Sequence, residues 1–244
     1  YMLKNKQLLK NAPHVIYVTD RFLQRRYPTM GQSIGCSDVS IHPCDASVLE
    51  KRLSRIRSLA ASDSLILSTV AAVDVWYKDQ AMVIKTLASL GTAGQRFTYR
   101  VIGQGDPARL QILSKKLGVA DQVEFVGPVP HAEIPKCLDE TDIYIQPSRQ
   151  EGLPRALIEA MSRGCPALGS TAGGIPELLP PDRIFPKGAV GVLGNLLRSM
   201  KPEVMATDAI RNSNLSTKYD ADELQKKRAS FYQLFLADQV AGRI

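Results

Sequence analysis

Hydrophobic and polar positions follow two alternating patterns from Ser64 onward. Short, nearly unbroken apolar runs predict buried strands, and longer stretches with an apolar residue every three or four positions predict amphipathic helices. The predicted strands cover residues 65–73, 97–102, 123–126, 142–146, 166–169 and 183–185. The predicted helices cover residues 79–90, 107–117, 131–138, 176–179, 189–200 and 222–240, and one more begins at Pro154.

This alternation of strands and helices predicts an α/β fold. Unbroken apolar strands are buried on both faces, so we expect a parallel sheet with helices on each side. Right-handed crossovers make it a doubly wound, Rossmann-like structure, in which ligands bind at the carboxyl ends of the strands. Glycines follow several predicted strands at that edge: Gly103, Gly105, Gly127, Gly152, Gly173 and Gly174. A hydride-transfer enzyme is disfavoured, because Ala108 stands where a dinucleotide fingerprint needs its third glycine.

The two ends of the chain do not continue this alternation. Residues 1–47 contain one convincing strand, over 15–19, and a short helix is expected to begin at Asp20, so this region is predicted to be a remnant of an N-terminal domain with its linker. Residues 48–220 are predicted to form the Rossmann-like domain. Residues 221–244 are predicted to form a helix that crosses toward the N-terminal domain or drives self-association. This helix has an apolar stripe that needs a partner, formed by Phe231, Leu234, Phe235 and Val240.

Composition excludes some classes of function. The chain has 244 residues, 44% of them hydrophobic, which suffices for one large domain. No apolar run approaches the roughly 18–20 residues of a membrane span. The net charge is +7, but the basic residues are spread out, and the 6% of aromatic residues do not interleave with them as nucleic-acid binding requires. A solvated basic surface is the simplest interpretation, and peripheral contact with anionic lipid head groups is the functional alternative.

The four cysteines form no CxxC pair. Cys137 and Cys165 lie in apolar surroundings and are predicted to be small core residues. Cys36 and Cys44 lie near His42 but lack a fourth ligand at a spacing typical of zinc, so no metal site is predicted. A reducing cytoplasm is the expected location, with or without peripheral membrane contact.

The segment from Glu151 to Glu159, of sequence Glu-Gly-Leu-Pro-Arg-Ala-Leu-Ile-Glu, carries the most chemical information. It follows a predicted strand, and Pro154 suits the first position of a helix. Free N–H groups from Gly152 to Arg155 would form an anion site at the positive end of that helix. Glu159 would lie roughly 7–8 Å along the helix axis, where its carboxylate could accept hydrogen bonds from a ribose diol. A sugar, a diphosphate and a ribose would match this order of groups.

A structural interpretation of the same segment needs no ligand. Arg155, Glu159 and Arg163 are four residues apart, a spacing that also produces salt bridges along a solvated helix face. For this segment alone, the structural interpretation is the stronger one. Other motifs in the chain reverse that preference.

Several ordered segments between residues 64 and 179 make the chain resemble the C-terminal half of a family 4 retaining glycosyltransferase of GT-B architecture. They are Tyr77-Lys78-Asp79-Gln80, Val101-Ile102-Gly103-Gln104-Gly105, Val123-Glu124-Phe125-Val126-Gly127, Asp142-Ile143-Tyr144, the Glu-x7-Glu run with Ala160-Met161, Gly164-Cys165-Pro166, and Gly173-Gly174-Ile175-Pro176-Glu177. A single Glu-x7-Glu spacing is common by chance. An ordered series at family-like spacing is specific.

The resemblance implies a site for a nucleotide-sugar donor, with neither a cofactor nor a metal. Glu151 would bind hydroxyl groups of the transferred sugar and stabilise its reacting end. Lys78 would neutralise the leaving diphosphate as charge develops. The structural alternative for Lys78 is a solvated helix N-terminus.

The resemblance also implies a set of substrate-binding residues. These are Gly152, Leu153, Pro154, Arg155, Glu159, Pro128, Val129, Gly103 and Gly105. The loop and first helical turn would hold the diphosphate, Glu159 the ribose, and the main chain at Pro128 and Val129 the base. Gly103 and Gly105 would serve close packing near the ligand rather than direct contact.

The chain departs from the family pattern near the diphosphate. Family members often have an arginine shortly before the lysine, whereas this chain has Ala71-Ala72-Val73. Arg155 and Arg149 are the candidates to replace it. Pro154 also stands where many members have glycine.

The function implied is transfer of a hexose-type unit from a nucleotide diphosphate sugar, with retention, to an unknown glycan or lipid-linked acceptor in polysaccharide biosynthesis. Because little of an acceptor-binding domain is recognised, we expect this chain to bind nucleotide weakly and to transfer no sugar alone. The alternatives are another GT-B enzyme, such as a sugar-nucleotide epimerase or a phosphorylase, and a non-catalytic nucleotide-binding module.

Overall fold

The computed structural model describes residues 2–39, 41–42, 44–60, 63–91 and 95–243, and only the backbone of residues 2–5. Its strands are β1 (His14–Tyr17), β2 (Gln32–Gly35), β3 (Ser64–Val70), β4 (Arg96–Ile102), β5 (Val123–Gly127), β6 (Ile143–Gln146), β7 (Ala167–Ser170) and β8 (Ile184–Phe185). Six of them form a parallel sheet in the order β5-β4-β3-β6-β7-β8. This is a doubly wound order, and the direction of winding reverses between β3 and β6. The predicted Rossmann-like α/β class is confirmed.

Helices cover both faces of this sheet. The helices of the described residues are α1 (Met2–Asn11), α2 (Phe22–Arg26), α3 (Ala46–Ser58), α4 (Gln80–Leu90), α5 (Ala108–Lys116), α6 (Ile134–Asp139), α7 (Arg155–Ser162), α8 (Ile175–Leu178), α9 (Val190–Ser199), α10 (Pro202–Ser216) and α11 (Ala221–Val240). One apolar core joins β3 and β4 to α4 and α9, and a second lies around α7. The central strand β6 is buried at every position, as its unbroken apolar pattern predicts.

Besides α1, two helices have no counterpart among the predicted elements. The helix α3 packs on α10, and α10 packs on α7. Both bury polar side chains, since Arg52 of α3 donates to the carbonyl of Leu138 at 2.6 Å, and Asn212 of α10 donates to the carbonyl of Cys165 at 2.7 Å. Buried polar residues interrupt the apolar periodicity by which helices are recognised in a sequence.

The N-terminal region contains more structure than predicted. One strand was expected over residues 1–47, but β1 and β2 pair in parallel as a separate two-stranded sheet. The second strand has the short sequence Gln-Ser-Ile-Gly, which lacks the apolar run on which the prediction relied. The expected short helix after Asp20 is present as α2. The boundaries of the three predicted domains stay predictions.

The last helix, α11, lies against this small sheet. Asp238 of α11 lies 3.0 Å from Nε2 of His14 in β1, and the rings of Phe231 and Phe235 make edge contacts with that histidine at 5.5 Å. The apolar stripe therefore has a partner within the chain for two of its members. Val240, by contrast, is 90% exposed.

Candidate active site

The two predicted catalytic residues follow the two strands that flank the reversal in winding. Lys78 ends a single 3-10 turn (Trp76–Lys78) after β3, and Glu151 lies on the loop after β6. Because β3 and β6 are parallel neighbours, their carboxyl ends meet at one edge of the sheet. There the Nζ atom of Lys78 lies 2.6 Å from Oε1 of Glu151. The side chain of Lys78 is only 23% exposed, which does not fit the alternative of a solvated helix N-terminus.

The Glu151 carboxylate is held by several donors. Its Oε1 atom also accepts hydrogen bonds from Oγ of Ser148 at 2.8 Å and Nε2 of Gln146 at 3.2 Å. Gln146 in turn accepts from the hydroxyl of Tyr144, and complete burial raises the pKa of that phenol well above its usual value, so it stays a donor. Among the described residues, no donor contacts Oε2 of Glu151. The donors to Oε1 thus orient the carboxylate, and Oε2 can bind a ligand.

Two glycines pack the Glu151 loop against a neighbouring loop. Gly173 has a φ of +58°, and a Cβ atom there would lie 2.1 Å from the carbonyl oxygen of Glu151. Gly174 donates its N–H to the carbonyl of Gly152 at 2.7 Å. Only glycine allows this approach of two backbones, because any side chain at 173 would overlap the loop.

The loop leads into the N-terminus of α7. The helix was predicted to begin at Pro154, but it begins at Arg155, and Pro154 precedes it in an extended conformation (φ −75°, ψ 112°). Within the described part of the chain, the N–H groups of Gly152, Leu153 and Arg155 donate to no acceptor. Leu153 is buried, whereas Arg155 is exposed. These free N–H groups lie at the positive end of the helix dipole, which favours an anion.

Glu159 lies just over one turn inside α7. Its side chain is 19% exposed, and Oε1 lies 3.3 Å from Nε2 of His131, which is itself 81% exposed. Arg163 does not pair with Glu159, because it donates to both carboxylate oxygens of Asp139, at 2.7 and 2.6 Å. The structural alternative of a salt-bridged helix face formed by Arg155, Glu159 and Arg163 is therefore wrong.

A cleft of about 830 Å³ opens beside Lys78 and Glu151. Its lining residues are Phe22, Leu23, Arg26, Tyr27, Tyr77, Lys78, Arg149, Gln150, Glu151, Gly152, Thr171, Gly173 and Lys187. One wall thus comes from α2 and the residue after it, which the sequence did not implicate. Glu177 positions that wall, since its carboxylate accepts the N–H groups of Asp20 and Phe22 at 2.7 and 2.6 Å.

The other predicted substrate-binding residues lie outside the lining of this cleft. Glu159 lines a second cavity of about 440 Å³ together with His131. A Cβ atom at Gly103 would lie 2.1 Å from the carbonyl oxygen of Ala71, and one at Gly105 would lie 2.5 Å from Oδ1 of Asp74, so both glycines pack closely as expected. Pro128 and Val129 follow β5 at the same edge of the sheet, and Leu153, Pro154 and Arg155 lead from the cleft into α7.

In the described part of the chain, no three His, Cys, Asp or Glu side chains are grouped so that they could hold a metal ion. The four cysteines are unpaired, and Cys165 is buried in the core around α7. No helix among the described residues is long and apolar enough to cross a membrane.

The sheet order and the site at its reversal point define a GT-B-type, Rossmann-like domain. Residues 51–192, more than half of the chain, match the family described as glycosyl transferases group 1. The chain belongs to this glycosyltransferase family.

Relatives and solved structures agree with this assignment. The chain is 28% identical to Protein CapJ of Staphylococcus aureus over 232 residues, covering 93% of this chain and 56% of CapJ. It is 29% identical to the putative colanic acid biosynthesis glycosyltransferase WcaL of Escherichia coli K12, over 75% of this chain and 45% of WcaL. The chain thus spans about half the length of these curated relatives.

Two solved structures show the same fold at low sequence identity. Sucrose-phosphate synthase of Thermosynechococcus elongatus superimposes with a TM-score of 0.79 at 19% identity, covering 97% of this chain and 61% of the synthase. Anabaena Alr3699/HepE, solved in complex with UDP and glucose, superimposes with a TM-score of 0.74 at 18% identity, covering 95% of this chain and 66% of HepE.

Proposed function

We propose that this chain binds the nucleotide diphosphate sugar donor of a metal-independent retaining glycosyltransferase. The observation that carries the proposal is the contact of Lys78 with Glu151 beside the open N-terminus of α7. A cation, a fixed carboxylate and free N–H groups are the parts that an activated sugar requires. Family membership and the structure of HepE with UDP support a uridine donor as the first to test.

Each group has a role in this proposal. The free Oε2 atom of Glu151 accepts hydrogen bonds from hydroxyls of the sugar and stabilises positive charge at its anomeric carbon. Lys78 and the N–H groups of Gly152 and Leu153 stabilise the diphosphate as it leaves. Glu159, one turn further along α7, accepts hydrogen bonds from the ribose.

The setting that we propose is polysaccharide biosynthesis, since WcaL is named for colanic acid biosynthesis. We also propose that the 244-residue chain transfers no sugar alone, because it spans about half the length of relatives such as CapJ. Release of a glycosylated product by this chain would contradict that part of the proposal, and an inverted product from a full-length relative would contradict retention.

Calorimetric titration with UDP, GDP, ADP and their glucose conjugates tests donor binding. We expect one nucleotide series to bind. Lys78→Met should lower the affinity for the nucleoside diphosphate of that series by about tenfold or more and leave the affinity for the nucleoside unchanged. Glu151→Ala should weaken the sugar conjugate more than the free diphosphate. Binding of none of these compounds would contradict the proposal.

Two alternatives give different results. A phosphorylase would need phosphate as co-substrate, and an epimerase would form free UDP without an acceptor. A non-catalytic module would keep partner binding after both acids, Glu151 and Glu159, are changed to alanine.

A further inference from the structure

Arg149 lines the cleft next to the two predicted catalytic residues. Only one of its three guanidinium nitrogens has a hydrogen-bond partner among the described residues. Its Nε atom donates to Oδ2 of Asp79 at 2.7 Å, and its side chain is 45% exposed. Among the described residues, no acceptor contacts its two Nη groups. The guanidinium lies over Gly188, where a Cβ atom would come 3.2 Å from Nη2. An arginine anchored by Nε presents its remaining donors in a fixed geometry, as recognition of an oxyanion requires.

The anchor is itself an unusual residue. Asp79 is buried and has a φ of +52°, the left-handed region that side chains other than glycine, asparagine and aspartate seldom adopt. Among the described residues it is the only one other than glycine with a positive φ. Arg149 also donates its backbone N–H to the carbonyl of Tyr77 at 2.7 Å. Two bonds from Arg149 therefore flank Lys78, and the strained Asp79 fixes the guanidinium at the cleft.

The charged residues that line the cleft favour an anionic ligand. Its lining includes the cations Arg26, Lys78, Arg149 and Lys187 but a single carboxylate, Glu151. Lys78 pairs with Glu151 and Arg149 pairs with Asp79, so each pair is neutral overall. Lys187 adds a further positive charge to the lining, which a diphosphate would balance.

We propose that the Nη groups of Arg149 bind an oxyanion of the donor, and that Asp79 positions them. This rests on the proposed function. The oxyanion has two possible sources, a phosphate oxygen of the diphosphate or a carboxylate on the transferred sugar. Arg149 thereby supplies the second cation that this chain lacks in the segment before Lys78. Arg155, the other candidate, is exposed and lies outside the lining of the cleft.

The test compares Arg149→Gln with Arg57→Gln, which removes the same charge from an exposed position in the last turn of α3. Both variants and the wild type are titrated with UDP, UDP-glucose and UDP-glucuronic acid, or with the corresponding GDP or ADP compounds if that series binds. We expect Arg149→Gln to weaken binding by about tenfold, the effect of losing a charged hydrogen bond, and Arg57→Gln to change it by less than about twofold. An equal loss for all three compounds assigns the diphosphate, and a loss confined to the glucuronic acid conjugate assigns the carboxylate.

Two further variants distinguish a loss of donor affinity from a loss of folding stability. Arg149→Gln leaves Asp79 buried without its cation, so the double variant Asp79→Asn/Arg149→Gln removes both charges, and asparagine tolerates the left-handed backbone. We expect it to have the donor affinity of Arg149→Gln with a melting temperature nearer to that of the wild type. Asp79→Asn alone should weaken binding less than Arg149→Gln.

The outcomes separate the two proposals. If the wild type binds nucleotide and Lys78→Met weakens it, but Arg149→Gln behaves like Arg57→Gln, the assignment of Arg149 is wrong and the proposed function stands. A larger loss for Arg155→Gln than for Arg149→Gln would also overturn the assignment. If no nucleotide binds the wild type, both proposals fail.

Discussion

Glu151 and Glu159 lie at the two ends of one short segment, and their surroundings differ. The first accepts three hydrogen bonds at one oxygen, and its loop packs against the backbone of Gly173. The carboxylate of the second has one polar contact among the described residues, at 3.3 Å, with the exposed ring of His131. The fold fixes the first acid before any ligand arrives, whereas little besides a ligand can satisfy the second. Changes around Glu151 should therefore alter stability, and changes around Glu159 should alter affinity alone.

The strongest test of this contrast is Gly173→Ala. The new Cβ atom would overlap the carbonyl oxygen of Glu151, and the alanine would have to adopt a φ of +58°. We expect a loss of about 2–5 kcal/mol in the free energy of unfolding, from left-handed strain and overpacking together. Urea denaturation measures it, and Gly118→Ala is the matched control, because Gly118 has a φ of +69° with no heavy atom within 4 Å of the added Cβ.

The control isolates the contact between the two loops. Gly118→Ala should lose only about 1–2 kcal/mol, the strain of the left-handed conformation. Equal losses at both positions would mean that the Glu151 loop shifts freely, and its carboxylate would then not be fixed by the fold.

The second test is Glu159→Gln, which we expect to change affinity without changing stability. The proposed ribose contact is a charged hydrogen bond, so the substitution should weaken nucleotide binding by about 1–3 kcal/mol. The free energy of unfolding should change by less than about 0.5 kcal/mol, as is usual for residues with few contacts. Calorimetry and urea denaturation measure the two quantities, with Glu203→Gln on the exposed first turn of α10 as the control. Unchanged affinity would remove Glu159 from the donor site.

The same contrast shows what the sequence could predict. The apolar runs indicated β3 and β6, and burial on both faces indicated a parallel sheet, although not that these two strands are neighbours. The family resemblance assigned Lys78 and Glu151 to one site, and the carboxyl ends of β3 and β6, which meet at one edge of the sheet, are consistent with that assignment. Their direct contact could not be predicted, because it depends on side-chain conformations set by Ser148 and Gln146.

The wall of the cleft formed by α2 could not be predicted from the sequence, for a different reason. The contacts of Asp20 and Phe22 with Glu177 join residues more than 150 positions apart, and no local pattern records such a pairing. The helices α3 and α10 were missed because each buries polar side chains that obscure an amphipathic pattern.

The smallest effect is expected for His131→Ala, and it decides whether Glu159 is held by the protein at all. His131 is 81% exposed, so its contact with the carboxylate is screened by water and should contribute less than about 0.5 kcal/mol. Its loss should leave the free energy of unfolding unchanged and nucleotide affinity within about twofold of the wild type. An affinity loss as large as that of Glu159→Gln would mean that the imidazole orients the acid or contacts the ligand itself. In that case both acids would be held by the protein, and the difference between them would be one of exposure rather than of preorganisation.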